Sequence, residues 1–185
     1  MLSKSIKGTS PEELTLALQQ SMSSGFKPKL AIVFISIKQD RKAIVEILHQ
    51  RNIDVIGATS SGEFINEHQS EGEFAILLLD IKRNDYSILF EDIGTRSLEQ
   101  ATSNIVHDAF SKFEKPAFIL LTTLLRSDGS LLDGEGMVHF IEKQAGPDIT
   151  MFGGMAGDDM SFTGTWIFTR DKSTDYGMAA LVLDE

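Results

Sequence analysis

Twice along the chain the same order of signals recurs: a capped helix, a β-branched run, a second capped helix, a short apolar strand, a loop of small residues, then further strands. KLAIVFIS at 29–36 matches KPAFILLT at 115–122, the Gly57 loop matches the Gly153 loop, and FAILLLD at 74–80 matches MAALVLD at 178–184. The spacing between matched segments grows from 86 to 96 to 104 residues, so the second unit carries two insertions. Buried strands resemble one another by composition alone. Here element order and loop chemistry agree as well, which points to an internal duplication.

The helix starts are explicit. Ser10-Pro11-Glu12-Glu13 offers a capping serine, a proline at the first helical position and a capping-box glutamate. Ser97 with Gln100 repeats the box, and Asp40 and Asp133 cap two more helices, the last stopped by Gly146-Pro147. Each strand–helix–strand unit implies a parallel pair with the helix as crossover. The shorter later connections favour antiparallel additions. The fold class is α/β: a mixed sheet or two packed sheets covered by four helices, with a pseudo-two-fold internal duplication. The units run over 10–94 and 97–185 of a single domain spanning 1–185. After FAILLLD the first unit continues with Tyr86–Asp92, whereas the second stops at Glu185. A further strand is therefore expected, and the chain reads as a piece of a longer protein.

Composition narrows the function. With 42% hydrophobic residues the chain has enough apolar surface to offset chain entropy, so bulk disorder is excluded. A net charge of −10 disfavours nucleic acid as a partner. The absence of cysteine removes disulfides, thiolate nucleophiles and Cys-ligated metal. The N-terminus has no apolar run behind its lysines, and no apolar stretch approaches the roughly 20 residues of a membrane helix. A cytoplasmic protein without a membrane partner is expected.

The two small-residue loops carry the strongest chemical signal. Both follow short strands of parallel type, at the end of an α/β sheet where ligands bind. Thr59, Ser60 and Ser61 supply hydroxyls, Gly62, Gly153, Gly154, Ala156 and Gly157 leave room for backbone N–H groups, and Glu63, Asp158 and Asp159 supply acceptors for an ammonium group or a cation. The combination suits a zwitterionic small molecule; the competing reading is a pair of tight turns. If the two units share an axis, the loops open on one pocket, with the N–H groups of Ser61, Gly62, Ala156 and Gly157 forming its anion-binding side. Arg126, in the turn Arg126-Ser127-Asp128-Gly129 after the second β-branched run, is a candidate carboxylate clamp or an exposed turn residue. A serine hydrolase using Ser60 is the enzymatic alternative. However, Ala58-Thr59-Ser60-Ser61-Gly62 lacks one glycine of the nucleophile elbow, and no helix signal follows. The four histidines, His49, His68, His107 and His139, show no metal-ligand spacing. A lone histidine binding haem, as in a gas sensor, remains a third reading.

Two of these stretches resemble a known family. IDVIGATSSGE at 53–63 is similar to one glycine motif of FIST N-terminal domains, and TMFGGMAGDD at 150–159 to the other. The placement of Arg126–Gly129, Thr163–Phe168 and Tyr176–Leu183 agrees, so the resemblance covers about 29–184. Ala58 stands where the family often has glycine. The resemblance implies a non-enzymatic, ligand-binding sensory module of a signal-transduction protein, mostly bacterial. It further implies a small, amino-acid-like polar ligand, a C-terminal partner domain and a signalling output module. Some family members bind haem; no haem ligand carries over to this sequence, and no cofactor is expected.

Overall fold

The computed structural model describes residues 2–185. In chain order its elements are β1 (Leu2–Gly8), α1 (Pro11–Met22), β2 (Leu30–Ser36), α2 (Arg41–Gln50), β3 (Asp54–Ser60), β4 (Glu63–Ile65), β5 (His68–Ser70), β6 (Phe74–Asp80), β7 (Tyr86–Asp92), α3 (Leu98–Phe110), β8 (Pro116–Thr122), α4 (Gly134–Ala145), β9 (Met151–Met155), β10 (Ile167–Thr169), β11 (Ser173–Thr174) and β12 (Gly177–Asp184). All four N-caps form: Ser10 accepts from the Glu13 amide, Asp40 from Ala43 and Asp133 from Gly136, while Ser97 and Gln100 make a reciprocal capping box. The box expected at Ser10 does not close, because the Glu13 carboxylate accepts from the Thr9 amide and hydroxyl instead.

Two sheets face each other, in the order β1-β6-β2-β3-β10-β11 and β7-β12-β8-β9. Helices α1 and α2 cover the outer face of the first through Leu14, Leu18, Ile44 and Leu48 against Ala31, Val33, Ile76 and Leu78. Helices α3 and α4 cover the second through Ala101, Ile105, Met137 and Ile141 against Phe118, Leu120, Ala180 and Val182. Between the sheets lies a third apolar layer without helical residues, built on Leu30, Ile32, Ile56, Leu79, Leu121, Ala179 and Leu181. The architecture is therefore α/β–β/α, two packed sheets rather than one.

The four strands β1-β6-β2-β3 and the four strands β7-β12-β8-β9 have the same order and the same directions: β2–β3 and β8–β9 are parallel, and the other neighbours are antiparallel. Tyr86–Asp92 accordingly opens the second unit, against β12, instead of closing the first. Its counterpart is β1, an edge strand on β6 that no sequence signal marks. The matched pairs also shift by one residue in the central strand. Val33 pairs with Gly57 as Leu120 pairs with Gly153, so Val33 corresponds to Leu120 and not to Ile119. A one-residue slip would have put the helix-facing set on the inter-sheet face.

Candidate functional site

The two small-residue loops meet. The Gly157 amide donates to Thr59 O at 2.9 Å, Asp159 N to Ser60 O at 3.3 Å, and Asp158 N to Ser61 Oγ at 3.0 Å. Gly157 is required by this closeness. A Cβ there would lie 2.7 Å from Ser61 N and would overlap Ser61 Oγ. Gly153 is required for a second reason: its φ is +152°, and a Cβ would overlap the Leu120 carbonyl of the neighbouring strand.

A cleft of about 380 Å³ opens beside this junction, at the C-terminal ends of β2, β3, β8 and β9. Its lining comprises Thr59, Ser60, Ser61, Gly153, Gly154 and Gly157 together with Phe34, Ala58, Ile119, Leu121 and Met155. Half of the sequence-derived candidates thus converge on one space. The apolar wall was not anticipated. Phe34, Ile119 and Leu121 sit in strands buried on both faces, where hydrophobicity gives no hint of which residue meets a cavity.

The other candidates lie elsewhere, for identifiable reasons. Asp158 accepts from Thr163 N and Gly164 N and closes the 158–164 loop, in which Asp159, Met160 and Phe162 all have positive φ. Asp159 accepts from Ser36 Oγ, and Lys38 Nζ stands 3.9 Å away. Its side chain is 5% exposed, and its Oδ1 has no hydrogen-bond partner among the described residues. Glu63 is 2% exposed and accepts from Ser60 Oγ at 2.7 Å and Glu73 N at 3.2 Å. Burial pushes its carboxyl above the ordinary range, and the nearby charges of Asp159 and Glu73 add to this against those two hydrogen bonds. These carboxylates therefore stand behind the Ser36 and Ser60 strand ends and not on the cleft surface. Gly62, with φ +111°, turns the chain from β3 into the β4–β5 hairpin. Ala156 is a core residue between the sheets and its amide donates to Thr122 O. With the Gly157 amide also engaged, two of the four expected anion-binding N–H groups are spent. Arg126 stacks on Tyr176 at 4.2 Å and bonds Ser130 and Asp128, so its guanidinium serves the turn and not the cleft.

Ser60 Oγ donates to the Glu63 carboxylate, β4 follows in place of the helix of a nucleophile elbow, and His68 contacts Lys7 and Glu73. Among the described residues no group of three or more His, Asp or Glu is arranged to hold a metal ion, and no helix is long and apolar enough to cross a membrane.

Comparison with curated proteins gives no match. The family model of the FIST N domain matches residues 29–185, from β2 through β12. The match includes both glycine loops and the cleft between them, and the chain belongs to the FIST N domain family, a sensory domain family of signal-transduction proteins.

Proposed function

We propose that this domain senses a small organic molecule taken up in the inter-sheet cleft. The observation that carries the reading is the junction itself: both glycine loops, one from each unit, touch beside a single cleft of about 380 Å³. A ligand there would contact both sheets at once. Its binding would thereby bias their relative packing, which is what a sensor needs to transmit occupancy. The lining favours an amino-acid-like ligand with an apolar side chain. Phe34, Ile119 and Leu121 would accept the apolar part, Ser60 and Ser61 line the polar end, and the carboxylates of Glu63 and Asp159 behind them favour an ammonium group over a second anion. The output module and a C-terminal partner domain would receive the signal.

The test is calorimetric titration of the free amino acids and their deaminated and decarboxylated analogues. The wild-type domain is compared with Gly154→Leu. A Cβ at Gly154 meets nothing within 4 Å, and pairing with Leu121 turns it toward the inter-sheet face, so leucine fills the cleft without disturbing the backbone. At least one apolar amino acid should bind the wild type and lose binding in Gly154→Leu. A ligand that binds both equally would place the site elsewhere.

A further inference from the structure

The two units differ at one edge. In the first sheet β3 is not the last strand. β10 lies antiparallel against it, with Ile167 opposite Ala58, Phe168 opposite Gly57 and Thr169 opposite Ile56. The Phe168 ring rests over Gly57, so close that a Cβ there would stand 2.5 Å from it, and Arg41 of α2 covers it at 5.5 Å. In the second sheet the corresponding strand, β9, is the edge. Gly153 takes the place of Gly57, α4 that of α2, and Gly134 that of Arg41. Where Phe168 packs in the first unit, the second has an open groove of about 560 Å³ between α4 and β9, walled by Leu120, Met137, Val138 and Met155 over Gly153.

Three features mark this groove as a place for a strand. β9 bonds β8 through Thr150 O and Ala156 N, and strand alternation then turns the amides and carbonyls of Met151, Gly153 and Met155 outward, toward the open edge. Thr122, which lines the groove in the position of the buried Ile35, is 5% exposed, and its hydroxyl has no partner among the described residues. Phe152 of the edge strand is 69% exposed. The charged residues of the lining, Glu135 and Glu142, are both acidic.

We infer that the α4–β9 groove receives an antiparallel β-strand from a basic partner segment, with a large aromatic side chain seated over Gly153. The internal copy supplies the geometry, since β10 does the same to β3 with Phe168. Gly134 stands in place of Arg41, and the flexible Met155 side chain packs against it as the cover that an incoming ring would displace. Lys or Arg in the partner complements Glu135 and Glu142. A second copy of this chain, with its net charge of −10, is disfavoured on the same ground.

The probe is a fluorescein-labelled octapeptide with the sequence of residues 163–170, which contains Trp166, Ile167, Phe168 and Arg170 and no acid. It is titrated with the whole chain and followed by anisotropy. One peptide should bind per chain, saturably. Phe168→Ala in the peptide should weaken binding at least tenfold, and so should Val138→Glu in the protein, with the urea midpoint of the protein unchanged. Three results would overturn the inference. The first is no saturable binding. The second is binding indifferent to both substitutions, as displacement of β10 from β3 would give. The third is self-association of the chain that Val138→Glu abolishes, which would make a second copy the occupant.

Discussion

Gly157→Ala tests the contact between the two loops, and its cost can be worked from the geometry. Gly157 does not have a positive φ, so alanine brings no backbone strain of its own and the whole penalty is steric. The added methyl would sit 2.7 Å from Ser61 N and 3.0 Å from Ser60 C, against main chain that cannot rotate away. The loops must separate. The three bonds that lace them, Gly157 N to Thr59 O, Asp158 N to Ser61 Oγ and Asp159 N to Ser60 O, are the first to lengthen. Loss of two such bonds costs about 1–3 kcal/mol, and leaving their buried ends unpaired adds about 1 kcal/mol more. The lower chain entropy of alanine in the unfolded state returns roughly 0.4–1 kcal/mol. The net expectation is a destabilisation of about 1–3.6 kcal/mol. For a chain of 185 residues that corresponds to a fall in Tm of roughly 2–14 °C. Urea unfolding should show a lower midpoint with an unchanged slope. Gly154→Ala, where the methyl meets open space, is the control and should be neutral. Equal stability of the two variants would refute the reasoning, because the loops would then not be in contact.

Other substitutions probe the rest of the frame. Tyr86 of the second sheet donates to Asp54 of the first at 2.5 Å, so Tyr86→Phe should cost about 1.5–3 kcal/mol in urea unfolding at pH 7. Burial acts to raise the Asp54 carboxyl, but bonds from Arg83 and Tyr86 outweigh it and hold the group below 3.8, so this stabilisation is present above that pH and is lost as pH falls through the lowered native value. Glu63 has the opposite sign. Its pKa is raised in the native state, so the fold binds the extra proton and loses stability as pH rises from 4.5 through that raised value. Glu63→Gln should therefore flatten the fall in urea midpoint across that interval, and an unaltered pH profile would count against the buried charge. Phe168→Ala removes a ring that is 1% exposed and fastens β10 over Gly57, and should cost about 3–5 kcal/mol in the same assay. A fluorophosphonate probe should leave Ser60 unlabelled, because β4 follows it where a nucleophile elbow would turn into a helix; stoichiometric labelling would restore the hydrolase reading.

What the sequence disclosed depended on whether a signal was local. Helix starts are local: Ser10, Asp40, Ser97 and Asp133 each satisfy an amide three residues ahead, so all four helices were legible. Strand register is not. β2 and β8 are buried on both faces, so the alternation that would have fixed their alignment is missing, and the match came out one residue off. β1 escaped notice for the converse reason. It is an edge strand in which only Ile6 and Gly8 are buried, and Ser3, Lys4, Ser5 and Lys7 give it a polar look. Without a signal for β1, Tyr86–Asp92 reads as the end of the first unit, whereas it pairs with β12 of the second sheet. The meeting of the two glycine loops was legible because small residues are required wherever main chains touch. The carboxylates of the second loop misled because an aspartate after glycines serves its own turn as readily as a ligand. Asp158 does so through Thr163 and Gly164, a bond pattern that depends on the left-handed residues after it.

The most direct test of the proposed ligand cleft is a ¹⁵N amide-shift titration of the domain with the amino acid that binds best in calorimetry. The amides of Ser60, Ser61, Gly154 and Gly157 should move together on a single isotherm, and the ligand should stabilise the fold by about 2.7 kcal/mol at a hundredfold excess over Kd. If those four amides stay in place while residues remote from the cleft shift, the two glycine loops are a structural junction and the cleft is not where this domain senses its ligand.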